Sequence, residues 1–299
     1  MGVLENGVWK ADKDAEELAR EDVLTRDIKP ASGRYHLYVS QACPFAHRPW
    51  LVISMLGLEN SISVSSVAPR RYDRGWEFSP DYPDPLGISE TLAGIYTRSR
   101  KDYSGRVTVP VFWDRKHGTI ASSDSASLAE ELASNWLTLA DRPITLIPEA
   151  LRENIMSLNR WLHENLNRRV YQVGFAVTQD GYDAENAVLF NALGNLEKRL
   201  TGVKYLHGSA LTLSDLFLLP SLVRFEAVYA IHFKANTQAL SEFTSLYSYM
   251  LRMLDLPGVR ETLNLPHIKE HYYFSHRHLN PAGIIPAGPN LPWYNGPNI

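Results

Sequence analysis

The chain has 299 residues, 44% of them hydrophobic and 21% charged, with a formal net charge of −3. That length and apolar content allow a sizeable core and suggest two domains, and neither the charge nor any block of five or more Lys and Arg supports a nucleic-acid surface. No apolar run approaches the roughly 18 residues of a membrane span, Met1 to Pro30 carries acidic residues where a signal peptide needs an apolar core, and a single cysteine excludes an internal disulfide framework, so no membrane partner and a cytoplasmic location are expected.

Residues 1–32 are polar and weakly patterned, with a candidate short helix from Glu16 to Leu24, and read as an arm over the first domain. Arg34 to Val39 places Tyr35, Leu37 and Val39 on one face and predicts a short strand. A helix should follow: Pro44 fits its first position, where a missing N–H costs nothing, and Trp50, Leu51, Ile53 and Leu56 supply apolar positions before Gly57 ends it.

Cys43 then stands at a helix N-terminus, where free N–H groups and the positive end of the dipole favour a thiolate. A lone cysteine is most often a small buried hydrophobe. Its position argues otherwise, because strand, Cys-Pro, helix resembles the layout of thioredoxin-like redox sites, with Ala46 where a dithiol protein carries its second cysteine. Without a resolving cysteine, any disulfide formed by Cys43 must be broken by an external thiol.

Ile62 to Val67 alternates and predicts a second strand. Ala68 to Ser104, rich in Arg, Tyr, Asp and Pro, reads as a packed functional loop. Arg106 to Trp113 predicts the next strand, with Pro110 inside it. Where thioredoxin-like folds place a cis-proline, the preceding residue offers its backbone to a bound peptide. Asp114 to Gly118 is a turn and Thr119 to Ala121 completes a hairpin. Ser122-Ser123-Asp124-Ser125 opens a helix to about Trp136. Capping alone accounts for one of these residues, and a carboxylate beside a hydroxyl is also how such folds hold a γ-glutamyl unit. Ala140 to Pro148 reads as a linker. Beyond it the leucines at 151, 158, 162 and 166, then at 189, 193, 196 and 200, keep helical spacing. Thr212 to Asp215 resembles a capping box before a wholly apolar helix. Phe243 to Leu254 is a further stripe, and the tail from Pro281 is irregular.

A half with Cys-Pro at its first helix and Val-Pro before a hairpin, followed by an all-helical half, resembles the cytosolic glutathione transferases. The motifs Cys43-Pro44-Phe45-Ala46-His47-Arg48, Gly75-Trp76-Glu77-Phe78-Ser79, Tyr103 to Pro110, Arg224 to Tyr229, His232-Phe233-Lys234 and His267 to Tyr273 narrow it. Together they are similar to the glutathionyl-hydroquinone reductases, the Xi-class transferases, over about residues 34 to 290. The resemblance implies an α/β plus all-α protein with four parts: an arm over 1–32, a thioredoxin-like glutathione-binding domain over 33–139, a helical substrate domain over 149–270 and an extension over 271–299.

The resemblance also implies residue roles. Cys43 is the nucleophile, Trp76 packs on glutathione, Arg106, Val107, Thr108 and Val109 bind its backbone, and Asp124 with Ser125 holds the γ-glutamyl end. Tyr171 is the hydroxyl near the leaving hydroquinone oxygen, and Tyr229 and Tyr272 direct hydroxyls at the cysteine sulfur. Glutathione is then the co-substrate, an aromatic hydroquinone the substrate, and a homodimer the expected assembly. His271, His276 and His278 lie close together but fit no zinc spacing, so no metal site is expected. Phe45 stands where the family usually has Trp, Pro49 where it commonly has Thr, and Asp124-Ser125-Ala126 where it has Glu-Ser-Ser. The alternatives are an omega-like thioltransferase or dehydroascorbate reductase, which shares the cysteine, and a non-catalytic binding module.

Overall fold

A computed structural model describes residues 2–11 and 27–294; the candidate helix at Glu16 to Leu24 lies outside the described residues. The chain divides into two compact units, Met1–Pro143 and Ile144–Ile299. No helix among the described residues is long and apolar enough to cross a membrane.

The first unit opens with a hairpin, β1 (Val3–Glu5) and β2 (Val8–Lys10), followed by β3 (Tyr35–Val39), α1 (Pro44–Leu56) and β4 (Ile62–Ser66). After these come α2 (Leu92–Ser99), β5 (Gly105–Arg106), β6 (Val111–Asp114), β7 (Thr119–Ser122) and α3 (Ser125–Asn135). The main sheet has the order β4-β3-β6-β7. β3 pairs parallel to β4 and antiparallel to β6, and β6 pairs antiparallel to β7. One face of the sheet packs Tyr35 against Phe112 with ring centroids 4.7 Å apart, and the edge of the buried Trp136 closes on both. This is the thioredoxin-like plan that the strand, Cys-Pro, helix order predicts.

Two expectations need correction. The single strand expected over Arg106 to Trp113 is two strands in different sheets, with β5 pairing to β1 and β6 to β3. Pro110 lies between them; it has no N–H to offer a ladder, so regular pairing stops there. The stretch from Ala68 to Ser104, expected as loop, contains α2, whose N-cap Thr91 accepts from the Gly94 N–H and whose Leu92, Ile95 and Tyr96 are buried. Its short apolar stripe is hidden between polar loop residues. The arm contributes β1 and β2, with Val3 and Leu4 fully buried.

The second unit is helical: α4 (Arg152–Leu162), α5 (Arg169–Gly174), α6 (Gln179–Leu200), α7 (Leu213–Arg224), the single turn α8 (Ala230–His232), α9 (Thr244–Leu254) and α10 (Leu265–Ser275). α10 runs past residue 271, where a separate extension was expected to begin. α7 is buried along its whole length, and the buried carboxylate of Asp215 satisfies its start. One oxygen accepts from the Thr212 N–H and hydroxyl, the other from the Leu206 N–H and the Tyr249 hydroxyl. π-helical turns over His163–Asn167 and Phe225–Tyr229 interrupt the two helical runs that carry Tyr171 and Tyr229.

Three histidines are buried neutral. Desolvation lowers the pKa of His36 and His232 to about 4 and that of His267 to about 3. On β3, the His36 ring is held between the hydroxyls of Ser63 and Ser65, at 2.7 and 2.8 Å. Each folded pKa lies below the unfolded value, about 6.5, so the unfolded chain takes up protons first and the stability tied to the neutral rings is lost as pH falls through that value. The urea midpoint should therefore fall between pH 7 and pH 5, each ring adding a slope of up to about 1.4 kcal/mol per pH unit. His36→Gln should flatten that dependence; an unchanged slope would mean that His36 is already charged in the fold.

Candidate active site

The polarity of the main sheet decides where the sequence-predicted residues go. β7 runs parallel to β3 and β4, so the C-terminal ends of all three share an edge with the start of β6. β3 leaves that edge into Cys43 and α1, and β4 into the loop that holds Trp76. β6 is entered there from Val109 and Pro110, and β7 leaves into Asp124 and α3.

Cys43 is the N-cap of α1. Its backbone is extended, with φ −78° and ψ 117°, and its Sγ accepts from the Ala46 N–H at 3.5 Å. Pro44 occupies the first turn, where its absent N–H removes a donor that had no partner to lose. The sulfur is half-buried and lies 4.0 Å from the Val109 carbonyl. An N–H donated to sulfur favours the thiolate, whereas only the protonated thiol can donate to that carbonyl, and the longer contact is the weaker one. Pro49 supplies no N–H to the ladder, yet α1 continues to Leu56 and closes on Gly57 in the left-handed region. The Arg48 guanidinium lies 4.9 Å from the centroid of Phe45.

The peptide bond between Val109 and Pro110 is cis, as the thioredoxin-like layout predicts. Among the described residues the Val109 N–H makes no hydrogen bond, which leaves it open to an extended peptide. Two phenols fix the strip before it. The Tyr96 hydroxyl donates to the Thr108 carbonyl at 2.8 Å and accepts from the Thr108 N–H at 3.3 Å, while Tyr103 donates to the Arg106 carbonyl at 2.9 Å. Burial raises both phenol pKa values, that of Tyr103 to about 12, so both stay protonated donors.

Trp76 is 7% exposed, and its carbonyl accepts from the Leu92 N–H at the start of α2. The Arg71 guanidinium lies 5.5 Å from its ring centroid, and desolvation lowers the Arg71 pKa. Farther along the loop, Asp84 accepts from the N–H groups of Leu86, Ile88 and Ser89 and from the Tyr38 hydroxyl of β3 at 2.7 Å. One carboxylate thus orders the segment and ties it to the central strand.

Asp124 is the N-cap of α3. Its Oδ1 accepts from the N–H groups of Ala126 and Ser127 at 3.1 and 2.7 Å, and its Oδ2 accepts no hydrogen bond among the described residues. The cap and an open acceptor coexist on one side chain. Ser125 stands beside it at the first helical position, half-buried.

In the second unit the structure brings Tyr171, Tyr229 and Tyr272 together. Tyr171 and Tyr272 share a hydroxyl hydrogen bond of 2.5 Å, and the Tyr229 ring lies 6.3 Å from Tyr171 and 6.1 Å from Tyr272. Burial and the neighbouring phenol hold the Tyr272 pKa well above its usual value. Phe233 stacks on Tyr229 at 5.6 Å, and Gly174 faces that ring so closely that a Cβ there would collide with it at 2.3 Å. His232 and His276, whose ring nitrogens lie 3.2 Å apart, pack against the same group. Among the described residues, no group of three or more His, Cys, Asp and Glu is disposed to hold a metal ion.

Sequence reasoning gave no role to Tyr38, Asp84, Tyr96 and Tyr103 in the first unit or to Gly174 and Phe233 in the second. Asp84 had a signal, since an aspartate flanked by two prolines is a strong loop organiser. The aromatic residues had none, because a packed ring and a positioning ring look alike in one sequence.

The chain matches two domain families, "Glutathione S-transferase, N-terminal domain" over residues 42–135 and "Glutathione S-transferase, C-terminal domain" over 179–259. It is 42% identical over 260 residues to glutathionyl-hydroquinone reductase YqjG of Escherichia coli, covering 86% of this chain and 79% of that protein. The glutathione-bound structure of YqjG superposes with a TM-score of 0.90 at 38% identity, covering 98% of this chain and 97% of the other. A Xi-class glutathione transferase from Natrialba magadii superposes with a TM-score of 0.93 at 36% identity, covering 100% and 96%.

The cap geometry predicts that Cys43 is alkylated with an apparent pKa below the free-cysteine value of about 8.5. Iodoacetamide rates measured from pH 4 to 10 read it directly, and a midpoint at the free-cysteine value would exclude an activated thiol. At the start of α3, Asp124→Ala should cost about 1 kcal/mol of stability through the lost cap, and Asp124→Asn much less, because the amide oxygen still caps. Urea unfolding of the two variants separates capping from charge.

Proposed function

The chain belongs to the glutathionyl-hydroquinone reductases, the Xi class of the glutathione transferases, and from that membership we propose that it reduces S-glutathionyl-hydroquinones with glutathione as the consumed co-substrate. The observation that carries this reading is a lone cysteine capping a helix beside the open Val109 backbone, with the Asp124 carboxylate at the neighbouring helix start.

The Cys43 thiolate attacks the glutathionyl sulfur of the substrate. An S–S bond forms, the bond from sulfur to the aromatic carbon breaks, and that carbon takes a proton as hydroquinone leaves. Cys43 is left in a mixed disulfide with glutathione. The thiolate of a second glutathione attacks the glutathione sulfur of that disulfide, and the products are glutathione disulfide and the Cys43 thiolate, which gives ping-pong kinetics. Two electrons pass from the pair of glutathione sulfurs to the aromatic carbon, and no further oxidant or reductant is needed. The lack of a second cysteine in the chain makes glutathione the only resolving thiol.

Binding of glutathione rests on complementarity. Its cysteinyl backbone would meet the Val109 N–H and carbonyl, as a short β-addition. Its γ-glutamyl ammonium would meet Asp124 Oδ2, its carboxylate the Ser125 hydroxyl and the helix start, and its body the Trp76 ring, with the strip from Arg106 through Val107 and Thr108 as the supporting wall. Tyr171, Tyr229 and Tyr272 are the phenols we assign to the reaction, with Tyr171 serving the leaving hydroquinone oxygen. In the hydrogen bond that Tyr171 and Tyr272 share, one phenol donates and the other accepts. A reducing, glutathione-rich cytoplasm would keep Cys43 in its working state, and we assign the enzyme to that compartment as a homodimer.

Cys43→Ser should abolish deglutathionylation and leave glutathione binding within a few-fold, since the binding groups lie elsewhere; retained turnover would mean that another residue carries the chemistry. Among glutathionyl-hydroquinone, dehydroascorbate, a mixed disulfide and chlorodinitrobenzene, the first should be the best substrate. Tyr171→Phe should slow that substrate more than the mixed disulfide. Dehydroascorbate as the best substrate would favour the omega-like reading, and equal slowing of both substrates would remove the assigned role of Tyr171.

A further inference from the structure

The N-terminal hairpin touches two walls of the glutathione site at once. On one side β1 pairs with β5, Val3 opposite Arg106 and Leu4 opposite Gly105, and the hairpin turn adds bonds from the Asn6 N–H to the Ser104 hydroxyl and from the Gly7 N–H to the Tyr103 carbonyl. On the other side, Trp9 of β2 donates its indole N–H to the Asp73 carbonyl at 2.6 Å. Its ring covers Gly75, the residue before Trp76, so closely that a Cβ on Gly75 would stand 2.8 Å from two ring carbons.

Gly75 sits at φ +81°, and its N–H closes a tight turn onto the Tyr72 carbonyl. That turn aims Trp76. Within the hairpin Trp9 lies opposite Leu4, so the contact to the Trp76 turn and the contact to β5 are joined by one rung of one ladder. With Val3 and Leu4 fully buried, the hairpin is a packed strut and not a loose arm.

We propose that Trp9 is a positioning residue for glutathione binding: the hairpin sets the spacing between the Trp76 turn and the Arg106 to Val109 strip, and Trp9 transmits it. The inference rests on the reading of Trp76 as a glutathione contact. Removing the indole frees the 72–75 turn from the hairpin, so Trp76 must be ordered at each binding event and the cost falls on affinity, not on the chemical step. Trp9→Phe keeps ring packing on Gly75 and loses only the bond to Asp73, and should lie between wild type and Trp9→Ala.

Calorimetric titration of glutathione into the full-length protein tests this. Trp9→Ala should weaken binding on the order of tenfold, and Trp76→Ala at least as much. The double variant should bind no more weakly than Trp76→Ala alone, because the two act through one contact. In turnover, the glutathione KM of Trp9→Ala should rise while kcat at saturating glutathione stays within about twofold, a split that general loosening of the fold would not produce. Wild-type affinity in Trp9→Ala, or penalties that multiply in the double variant, would overturn the inference with the role of Trp76 intact. Wild-type affinity in Trp76→Ala would instead remove the role of Trp76, and the inference with it.

Discussion

The first unit depends on one constraint, the mixed polarity of its four-stranded sheet. Because β3, β4 and β7 run the same way and β6 runs against them, four separate stretches of chain meet at one edge. Two of them begin helices there. A helix N-terminus presents unpaired N–H groups and partial positive charge, and the edge therefore carries two such ends, one capped by sulfur and one by carboxylate. Such ends favour anions and thiolates, so the sheet order alone gathers favourable electrostatics for both at this edge. No basic cluster is required for this.

What the sheet does not hold, side chains do. Between Ser66 and Gly105 the only regular element is α2, and the rest of the segment must find partners for its backbone groups by other means. Asp84 takes three N–H groups and a phenol, and Tyr96 takes both backbone polar groups of Thr108. Buried hydrogen bonds of this kind are costly to break singly, because each removed partner leaves another group unsatisfied. The loop gains rigidity from that asymmetry, and that rigidity fixes the Trp76 turn and the Val109 backbone.

The legible parts of the sequence were those where one residue type has one use. Cys43 before Pro44, Pro110 after Val109, and Asp124 at a helix start each follow from local covalent or hydrogen-bonding chemistry, and the structure places all three on the shared edge. α2 was not legible, since its buried face of Leu92, Ile95 and Tyr96 spans too few turns to establish a period against polar neighbours. The division of the strand around Pro110 was half-legible. Proline marked a lost ladder donor inside one expected strand, but only pairing with β1, a strand three residues long, shows where β5 belongs. In the second unit the leucine stripes located the helices, yet the π-helical turns at His163–Asn167 and Phe225–Tyr229 change the register of side chains without changing composition. Tyr171 and Tyr229 face each other because of that register, which periodicity at 3.6 residues does not encode.

The departure at Asp124 illustrates how a short side chain resolves two demands. Helix N-caps favour side chains whose oxygen returns to the N2 and N3 backbone N–H groups, and aspartate reaches them where glutamate must fold back over an extra methylene. Here Oδ1 meets both Ala126 and Ser127. Carboxylate geometry then fixes Oδ2 as well, because the two oxygens are rigidly coupled through one carbon. Capping the helix thus orients the open acceptor without a second hydrogen bond, and the shorter side chain has less freedom to lose in being held there than glutamate would. Where the family resemblance expects Glu-Ser-Ser, the chain has Asp124-Ser125-Ala126, and Ala126 is an exposed residue whose backbone N–H is already committed to the cap. The site is therefore simplified at its solvent side while its charge and its helix terminus are kept.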